Sequence, residues 1–484
     1  MPEHRTLFRS ALIYDGTGAP PWTGDLAVAG ERIAGVARPG DISTLAGDEV
    51  IDASGLALSP GFIDAHTHDD RIVLDQPNML PKISQGVTSV VTGNCGISLA
   101  PAMFADDPPA PMNLLGGREA YEFPNFASYA AALRKTVPAV NVAALIGHSA
   151  LRLAVMRDVA NKANGDEIVA MIALAGEAMA NGAAGFSTGL FYPTNSAADS
   201  EEVSAIARCF ARHGGIYATH MRDEFDCVLD SIDESLATAA AASIPLVVSH
   251  HKCAGPANWG RTTETLPKLE AAAGRQPVNL DVYPYAAGST NLRLDLVTAD
   301  YPIRISWSKP HPEMTGRELK GIAEEWGCDL QEAARRLDPA GAIYFQMDEA
   351  DVRRVMSSRI AMIGSDGLPH DTHPHPRLWG TFPRVIGHYA RDEKLFSIET
   401  AIHKMTGLTA KVFGLKDRGL LKAGAFADLV LFDPKTIIDK ATYDDPRLAS
   451  RGIARVYVNG TLAFTPEQGV TARAGRLIGG NNNS

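Results

Sequence analysis

The chain has 484 residues, 45% hydrophobic and 21% charged, an ordinary globular composition with room for two or three domains and a large core. Its 45 basic and 56 acidic side chains leave a formal charge of −11, which argues against nucleic acid or an anionic membrane surface as a partner. No apolar run approaches the roughly 18–20 residues of a spanning helix. The opening Met1-Pro2-Glu3-His4-Arg5-Thr6 leads into an alternating stretch without an apolar h-region, so no signal peptide is expected from it.

The first sixty residues read as short strands and turns. Residues 7–14 end in Asp15-Gly16, 25–30 and 32–36 flank a Gly30-Glu31 turn, and 49–51 is followed by 56–58. Beyond them the texture changes. Apolar runs at 61–63, 89–91, 140–146, 183–186, 215–218, 245–248, 278–280 and 359–363 make eight candidate strands. Between them, 166–180, 200–212 and 223–242 carry apolar residues at helical spacing. Such alternation implies parallel pairing through right-handed crossovers, and eight units imply a closed (β/α)8 barrel of the TIM type. An open doubly wound sheet is the alternative, but no Gly-rich phosphate loop follows the first strand. One crossover is too long: between Tyr283 and residue 359 lies an insertion of about sixty residues, helical at 316–326 and 330–337, a candidate lid over the barrel mouth. The β texture returns at 428–432, closed by Asp433-Pro434, and at 454–458 and 462–464 around the hairpin signal Asn459-Gly460. The one low-complexity tract is Asn481-Asn482-Asn483.

Chemical side chains gather at the carboxyl ends of these strands. Strand one runs into Asp64-Ala65-His66-Thr67-His68, where residues two apart on extended backbone point the same way and can converge on one ion. Strand two ends in Thr92-Gly93-Asn94-Cys95-Gly96, strand five in Thr219-His220, strand six in Ser249-His250-His251-Lys252, and strand eight in Gly364-Ser365-Asp366. By alternation His250 and Lys252 share a face and His251 takes the other. Each residue alone has a bland reading, as a loop histidine or a packed thiol. Together at one rim they are hard to explain by packing, because buried polar groups are costly without partners. A thiolate with imidazoles suits Zn²⁺ far better than Mg²⁺ or Ca²⁺, and three protein ligands leave a fourth position open, the arrangement of a catalytic site. Asp366 is then placed to accept a proton from water and return it to a leaving group. The histidines of Pro369-His370-Asp371-Thr372-His373-Pro374-His375-Pro376-Arg377 read as a substrate-side loop rather than a second metal cage, with Arg377 able to grip a carboxylate. Five cysteines, odd in number and irregularly spaced, point to a reduced, cytoplasmic setting, and Cys209, Cys227 and Cys253 read as small buried hydrophobes.

The pattern resembles the amidohydrolase superfamily in Gly61-Phe62-Ile63-Asp64-Ala65-His66-Thr67-His68, the late aspartate and the closing Ala423-Gly424-Ala425-Phe426-Ala427-Asp428. It resembles more specifically the N-acyl-D-amino-acid deacylases, or D-aminoacylases. That likeness rests on Lys82-Ile83-Ser84-Gln85-Gly86, Val91-Thr92-Gly93-Asn94-Cys95-Gly96, Thr219-His220-Met221-Arg222, Ser249-His250-His251-Lys252 and Ser365-Asp366-Gly367-Leu368-Pro369. The resemblance implies a barrel over residues 61–414 with the insertion at 286–346, flanked by a small β-sandwich from 1–60 and 415–484. It implies one tight zinc on Cys95, His220 and His250, and a weaker metal position framed by His66, His68 and Asp366. Strand four, Ala184-Gly185-Phe186-Ser187-Thr188-Gly189, lacks the carboxylated lysine of many relatives, so Cys95 would replace it. The same likeness puts Tyr192 near the scissile carbonyl and Lys252, Tyr283, Ser289 and Arg377 on the substrate carboxylate.

The activity implied is zinc-dependent hydrolysis of a small-molecule N-acyl-D-amino acid to a carboxylate and a free D-amino acid. Its D-stereochemistry is taken wholly from the likeness. A cyclic-amide hydrolase of the dihydropyrimidinase or dihydroorotase kind and a non-catalytic scaffold are the alternatives. The missing lysine weighs against the first and the intact ligand set against the second. Selectivity is expected near Ser289-Thr290-Asn291-Leu292-Arg293-Leu294-Asp295-Leu296. There the leucines favour apolar D-residues, whereas Arg293 turned into the pocket would favour N-acyl-D-glutamate.

Overall fold

A computed structural model of the protein describes residues 5–479; residues 1–4 and the tract at 481–483 lie outside them. Eight short strands carry the architecture: β1 (Phe62–Asp64), β2 (Val87–Thr92), β3 (Asn141–Gly147), β4 (Gly185–Gly189), β5 (Ile216–His220), β6 (Leu246–Val248), β7 (Val278–Val282) and β8 (Ala361–Ile363). Each pairs in parallel with its neighbour in chain order. The ring closes between β8 and β1. Ala65 N–H donates to the Ile363 carbonyl at 3.2 Å, Asp366 N–H to the His66 carbonyl at 2.8 Å, and a parallel bridge joins Thr67 to Gly367. These are the eight positions read from the apolar runs.

Alternate residues of the strands serve two cores. Ile63, Val91, Ala143, Leu145, Val247 and Met362 pack together inside the barrel with Phe413, Leu415 and Ile478. Their neighbours Phe62, Val90, Val142, Phe186 and Tyr217 pack outward. The helices Gly165–Ala180 and Ser200–Ala211 stand where periodicity puts them, the first begun by an Asn164–Glu167 capping box. The third starts at Val228, not at 223. The Asp223 carboxylate accepts the backbone N–H groups of Phe225 and Cys227, and that turn keeps the preceding residues out of the helix. Cys227 is correspondingly exposed, against the expectation of a buried hydrophobe; Cys209 and Cys253 are buried as expected.

Both chain ends build one nine-stranded, sandwich-like sheet. The seam is Leu429–Phe432, which pairs antiparallel with Ala57–Pro60, and Phe8, Leu26, Leu58, Leu429 and Tyr457 give this unit a core of its own. The insertion between β7 and β8 holds the two expected helices, Leu319–Trp326 and Leu330–Leu337. It also holds an antiparallel sheet of Gly288–Asn291, Ile303–Ser308 and Ala340–Tyr344 that the sequence did not announce. Ile305, Leu319, Ile322, Leu337 and Tyr344 form its small core, and Ser289, Thr290, Leu296 and Tyr344 reach the pocket at the barrel mouth. No helix among the described residues is long and apolar enough to cross a membrane.

Candidate metal centre and reaction pocket

A parallel barrel presents all its strand carboxyl ends at one rim, which is why residues far apart in sequence meet there. β1 delivers His66 and His68, β2 delivers Cys95, β5 ends on His220, β6 leads to His250 and β8 to Asp366. Three of these residues have left-handed backbone: Cys95 (φ 55°), His250 (φ 36°) and Asp366 (φ 50°). Side-chain-bearing residues rarely adopt it, and here it turns each chain end inward as the strand stops. Gly93 (φ 76°) makes the turn before Cys95 possible, because a Cβ there would run into the Leu145 carbonyl.

The donor atoms form two groups that share one residue. His66, His68, Cys95 and Asp366 lie within 4.8 Å of one another, as do Cys95, His220 and His250, and all are buried. Cys95 Sγ is 3.2 Å from His66 Nε2 and 3.3 Å from His250 Nε2. An Asp366 oxygen is 3.2 Å from His68 Nε2 and 3.4 Å from His66 Nε2. The His220 ring, stacked on Phe191 at 5.1 Å, is buried with neither nitrogen hydrogen-bonded. Nε2 stands 3.5 Å from a Glu224 oxygen and Nδ1 has no hydrogen-bond partner, an unsatisfied ring whose cost a cation would remove for the nitrogen that faces it. Burial resists charge on the Cys95 thiol, but His66 and His250 outweigh it and hold the thiol well below its ordinary range, as a thiolate donor requires. The set fits Zn²⁺: Cys95, His220 and His250 would hold the tight ion, and His66, His68 and Asp366, with Cys95 shared, a weaker one.

Residues that sequence reasoning did not single out hold these donors in place. Asp281 on β7 accepts the His250 backbone N–H at 2.9 Å and lies 3.3 Å from His66 Nδ1. Asp64 accepts the Ser365 backbone N–H at 2.7 Å and is paired at 2.8 Å with Lys82, which also donates to Ser365 Oγ at 2.6 Å. This buried network ties β1 to β8 beneath Asp366. Glu224, in the loop before the helix Val228–Ala242, accepts Lys252 Nζ on both oxygens at 2.8 and 2.7 Å and stands 3.1 Å from His250 Nδ1. Nδ1 has Lys252 Nζ at 2.7 Å and Glu224 at 3.1 Å; with Nε2 given to a cation Nδ1 carries the proton, and of these two neighbours only the carboxylate can accept it. Burial would raise the Glu224 carboxyl, but Lys252 and His220 hold it well below the usual range.

Of the expected substrate residues, Tyr192, Lys252, Tyr283 and Ser289 line a pocket of about 40 Å³, and Arg377 does not. The Tyr192 hydroxyl is 3.2 Å from Thr290 Oγ1. Lys252 lines the pocket with its ammonium engaged by Glu224 and 2.7 Å from His250 Nδ1, while His251 turns away to Thr265 at 2.8 Å, on the side expected although the strand has already ended at Val248. Arg377 is fully buried, 2.9 Å from Asp366, stacked 4.6 Å over the Tyr283 ring and donating to the Ser289 carbonyl. Burial would raise the Asp366 carboxyl; Arg377 and His66 hold it well below the ordinary range, so it is a carboxylate. The histidines of the 369–377 loop do not cluster: His373 faces the Tyr443 carbonyl at 2.7 Å and His375 Nδ1 accepts the Arg377 backbone N–H at 3.0 Å. Arg293 turns onto the Phe191 ring at 4.0 Å and pairs with Asp295 at 2.6 Å, outside the pocket.

The sequence profile of the Amidohydrolase family matches residues 49–308 and 313–464. D-aminoacylase of Alcaligenes xylosoxydans xylosoxydans is 52% identical over 472 residues, 98% of this chain and 97% of that protein. N-acyl-D-aspartate deacylase of the same organism is 49% identical over 473 residues, 98% and 94% of the two chains. A crystal structure of a D-aminoacylase superposes with a TM-score of 0.95 at 50% identity, covering 98% of this chain and 99% of the other. Identity and superposition each run nearly end to end, the insertion included, and the profile covers most of the chain. The chain belongs to the amidohydrolase family, in the branch of the D-aminoacylases and N-acyl-D-amino-acid deacylases.

Proposed function

We propose that this protein hydrolyses N-acyl-D-amino acids to a carboxylate and a free D-amino acid, in the cytoplasm, with apolar D-residues preferred. The observation that carries the reading is the pair of donor groups joined at Cys95, with Asp366 between them and Arg377. Zinc, when bound, supplies a Lewis acid for the acyl oxygen and lowers the pKa of water at the site. The chain's own residues do the rest. Asp366, held ionised, takes a proton from the attacking water and passes it to the departing amine. The Tyr192 hydroxyl keeps its proton, because burial and the Cys95 charge push its pKa well up, and it donates to the oxygen that gains charge at the scissile carbon. Tyr283, Ser289 and Arg377 bind the α-carboxylate, with Lys252 held beside them by Glu224.

The preference for apolar D-residues follows from the apolar part of the lining, where Phe191, Phe225 and, of the leucines expected at 289–296, Leu296 reach the pocket. Lys252 and Arg293 are each engaged by a carboxylate of the chain and Arg377 is committed to the α-carboxylate, so none is left for the second carboxylate of D-glutamate. The cytoplasmic setting rests on the five cysteines, all free. A screen of N-acetyl-D- and N-acetyl-L-amino acids with the zinc-loaded protein tests the reading. Turnover of D-leucine and D-methionine derivatives with little or none of the L-forms is expected. No turnover of any D-derivative refutes the reading, and a D-glutamate advantage abolished by Arg293→Met refutes the apolar preference.

A further inference from the structure

The reaction pocket, at about 40 Å³, is far smaller than the ~300–1,000 Å³ typical of pockets that enclose small molecules. A substrate must extend beyond it. Two of its lining residues, Leu114 and Tyr192, also line a second cavity of about 1020 Å³. That cavity lies between the loop after β2 and the insertion. Pro108, Ala110, Leu292, Leu294 and Trp307 are its apolar lining, and of its polar residues Asn291 donates to Asn113 at 2.9 Å. Its charges are largely spent on one another: Arg71 pairs with Asp75 at 2.5 Å, Arg293 with Asp295 at 2.6 Å and Lys309 with Asp107 at 2.6 Å. His370 and Asp371 also line it, and burial drives both toward neutral forms, His370 down to about 4 and Asp371 up to about 7.

The direction of the substrate decides which part enters. The carboxylate belongs with Tyr283 and Ser289, and the amino-acid side chain with Phe191, Phe225 and Leu296; none of these five lines the large cavity. The substituent left over is the acyl group, across the scissile bond, and its way out is past Leu114 and Tyr192. We infer that the large cavity is an acyl subsite, and that the preferred substrates carry extended apolar acyl chains, octanoyl rather than acetyl. The inference rests on the deacylase reading and adds to it the chemistry of the released acid, a medium-chain fatty acid.

The test compares kcat/KM for N-acetyl-, N-butanoyl- and N-octanoyl-D-leucine with the zinc-loaded enzyme and its Leu294→Asp variant. Leu294 is 42% exposed, lines only the large cavity and touches none of the reacting groups, so the variant should fold and keep acetyl turnover. A buried methylene supports up to about a fourfold gain, so a rise of about tenfold or more from acetyl to octanoyl is expected, largely lost in the variant. A flat or falling dependence on chain length overturns the subsite. So does a rise that survives Leu294→Asp, or a variant that slows acetyl and octanoyl substrates alike. If no N-acyl-D-leucine is hydrolysed at all, the deacylase reading fails and the subsite falls with it.

Discussion

Replacing Glu224 by glutamine tests whether the carboxylate, rather than the ligands alone, shapes the tight metal position. In the intact protein two charge-assisted bonds of 2.8 and 2.7 Å join Glu224 to Lys252, both residues being buried. Removing one partner of such a pair typically costs about 3–5 kcal/mol, because the other charge is left uncompensated. The amide can still accept one bond, so about 3 kcal/mol is expected for Glu224→Gln, and a similar loss for Lys252→Met. The double variant leaves no orphaned charge at this pair and should be about 2 kcal/mol more stable than the sum of the singles implies. Metal binding separates the two roles of Glu224. A glutamine carbonyl is a weaker acceptor for His250 Nδ1–H, so zinc affinity should fall about 10–100-fold in Glu224→Gln, and Lys252→Met should not restore it. Chemical denaturation of the four proteins and zinc competition against a chelator give both numbers. Single losses that add within about 0.5 kcal/mol would refute the pairing. Unchanged zinc affinity in a folded Glu224→Gln protein would refute its hold on His250.

Cys95→Ala should empty both metal positions at once, since the thiolate belongs to both donor groups; zinc retained after dialysis against a mild chelator would show that it does not. Asp366→Asn should keep the fold and the tight zinc while kcat drops roughly 10²–10⁴-fold, as an amide cannot carry the proton; near-normal turnover would take the aspartate out of the reaction. Lys404 is buried against the Ser358 and Ala361 carbonyls, and burial lowers its pKa to about 8. The unfolded chain keeps that proton to about pH 10.4, so between the two values it binds more protons than the native state and stability rises with pH. The rise should reach about 3 kcal/mol between about pH 8 and 10.4 and be absent in Lys404→Met; parallel stability–pH curves for the two proteins would contradict it.

The residues that act were more legible than those that hold them. His66, His68, Cys95, His220, His250 and Asp366 were found because polar side chains at the ends of apolar runs violate the pattern around them. Asp281 sits inside β7 and looks like an ordinary charged residue, and Lys82 enters only within a motif that carries the resemblance, with no role of its own; only the fold shows them buried together with metal donors. Glu224 was hidden by an overlong helix: its neighbours fit the 3.6-residue period, and the Asp223 turn that stops the helix is a side-chain hydrogen bond with no periodicity. The insertion's strands, such as Gly288–Asn291, are too short and too polar to announce themselves, and they exist because Ala340–Tyr344 pairs with both partners from far along the chain. The left-handed backbone at Cys95, His250 and Asp366 has no compositional sign, since none is a glycine.

The seam between Ala57–Pro60 and Leu429–Phe432 has a consequence for how the chain is made. Synthesis runs from the amino end, so the first strands emerge long before the strands that complete their sheet. During that interval the whole barrel is translated, while Ala57–Pro60 waits with one edge unpaired and the face around Leu58 uncovered. An open strand edge beside an apolar face invites pairing with another nascent chain. The period of greatest vulnerability to aggregation is thus set by the time the ribosome needs to travel from residue 60 to residue 432. Slow translation late in the message would lengthen that exposure without changing a single contact of the finished enzyme.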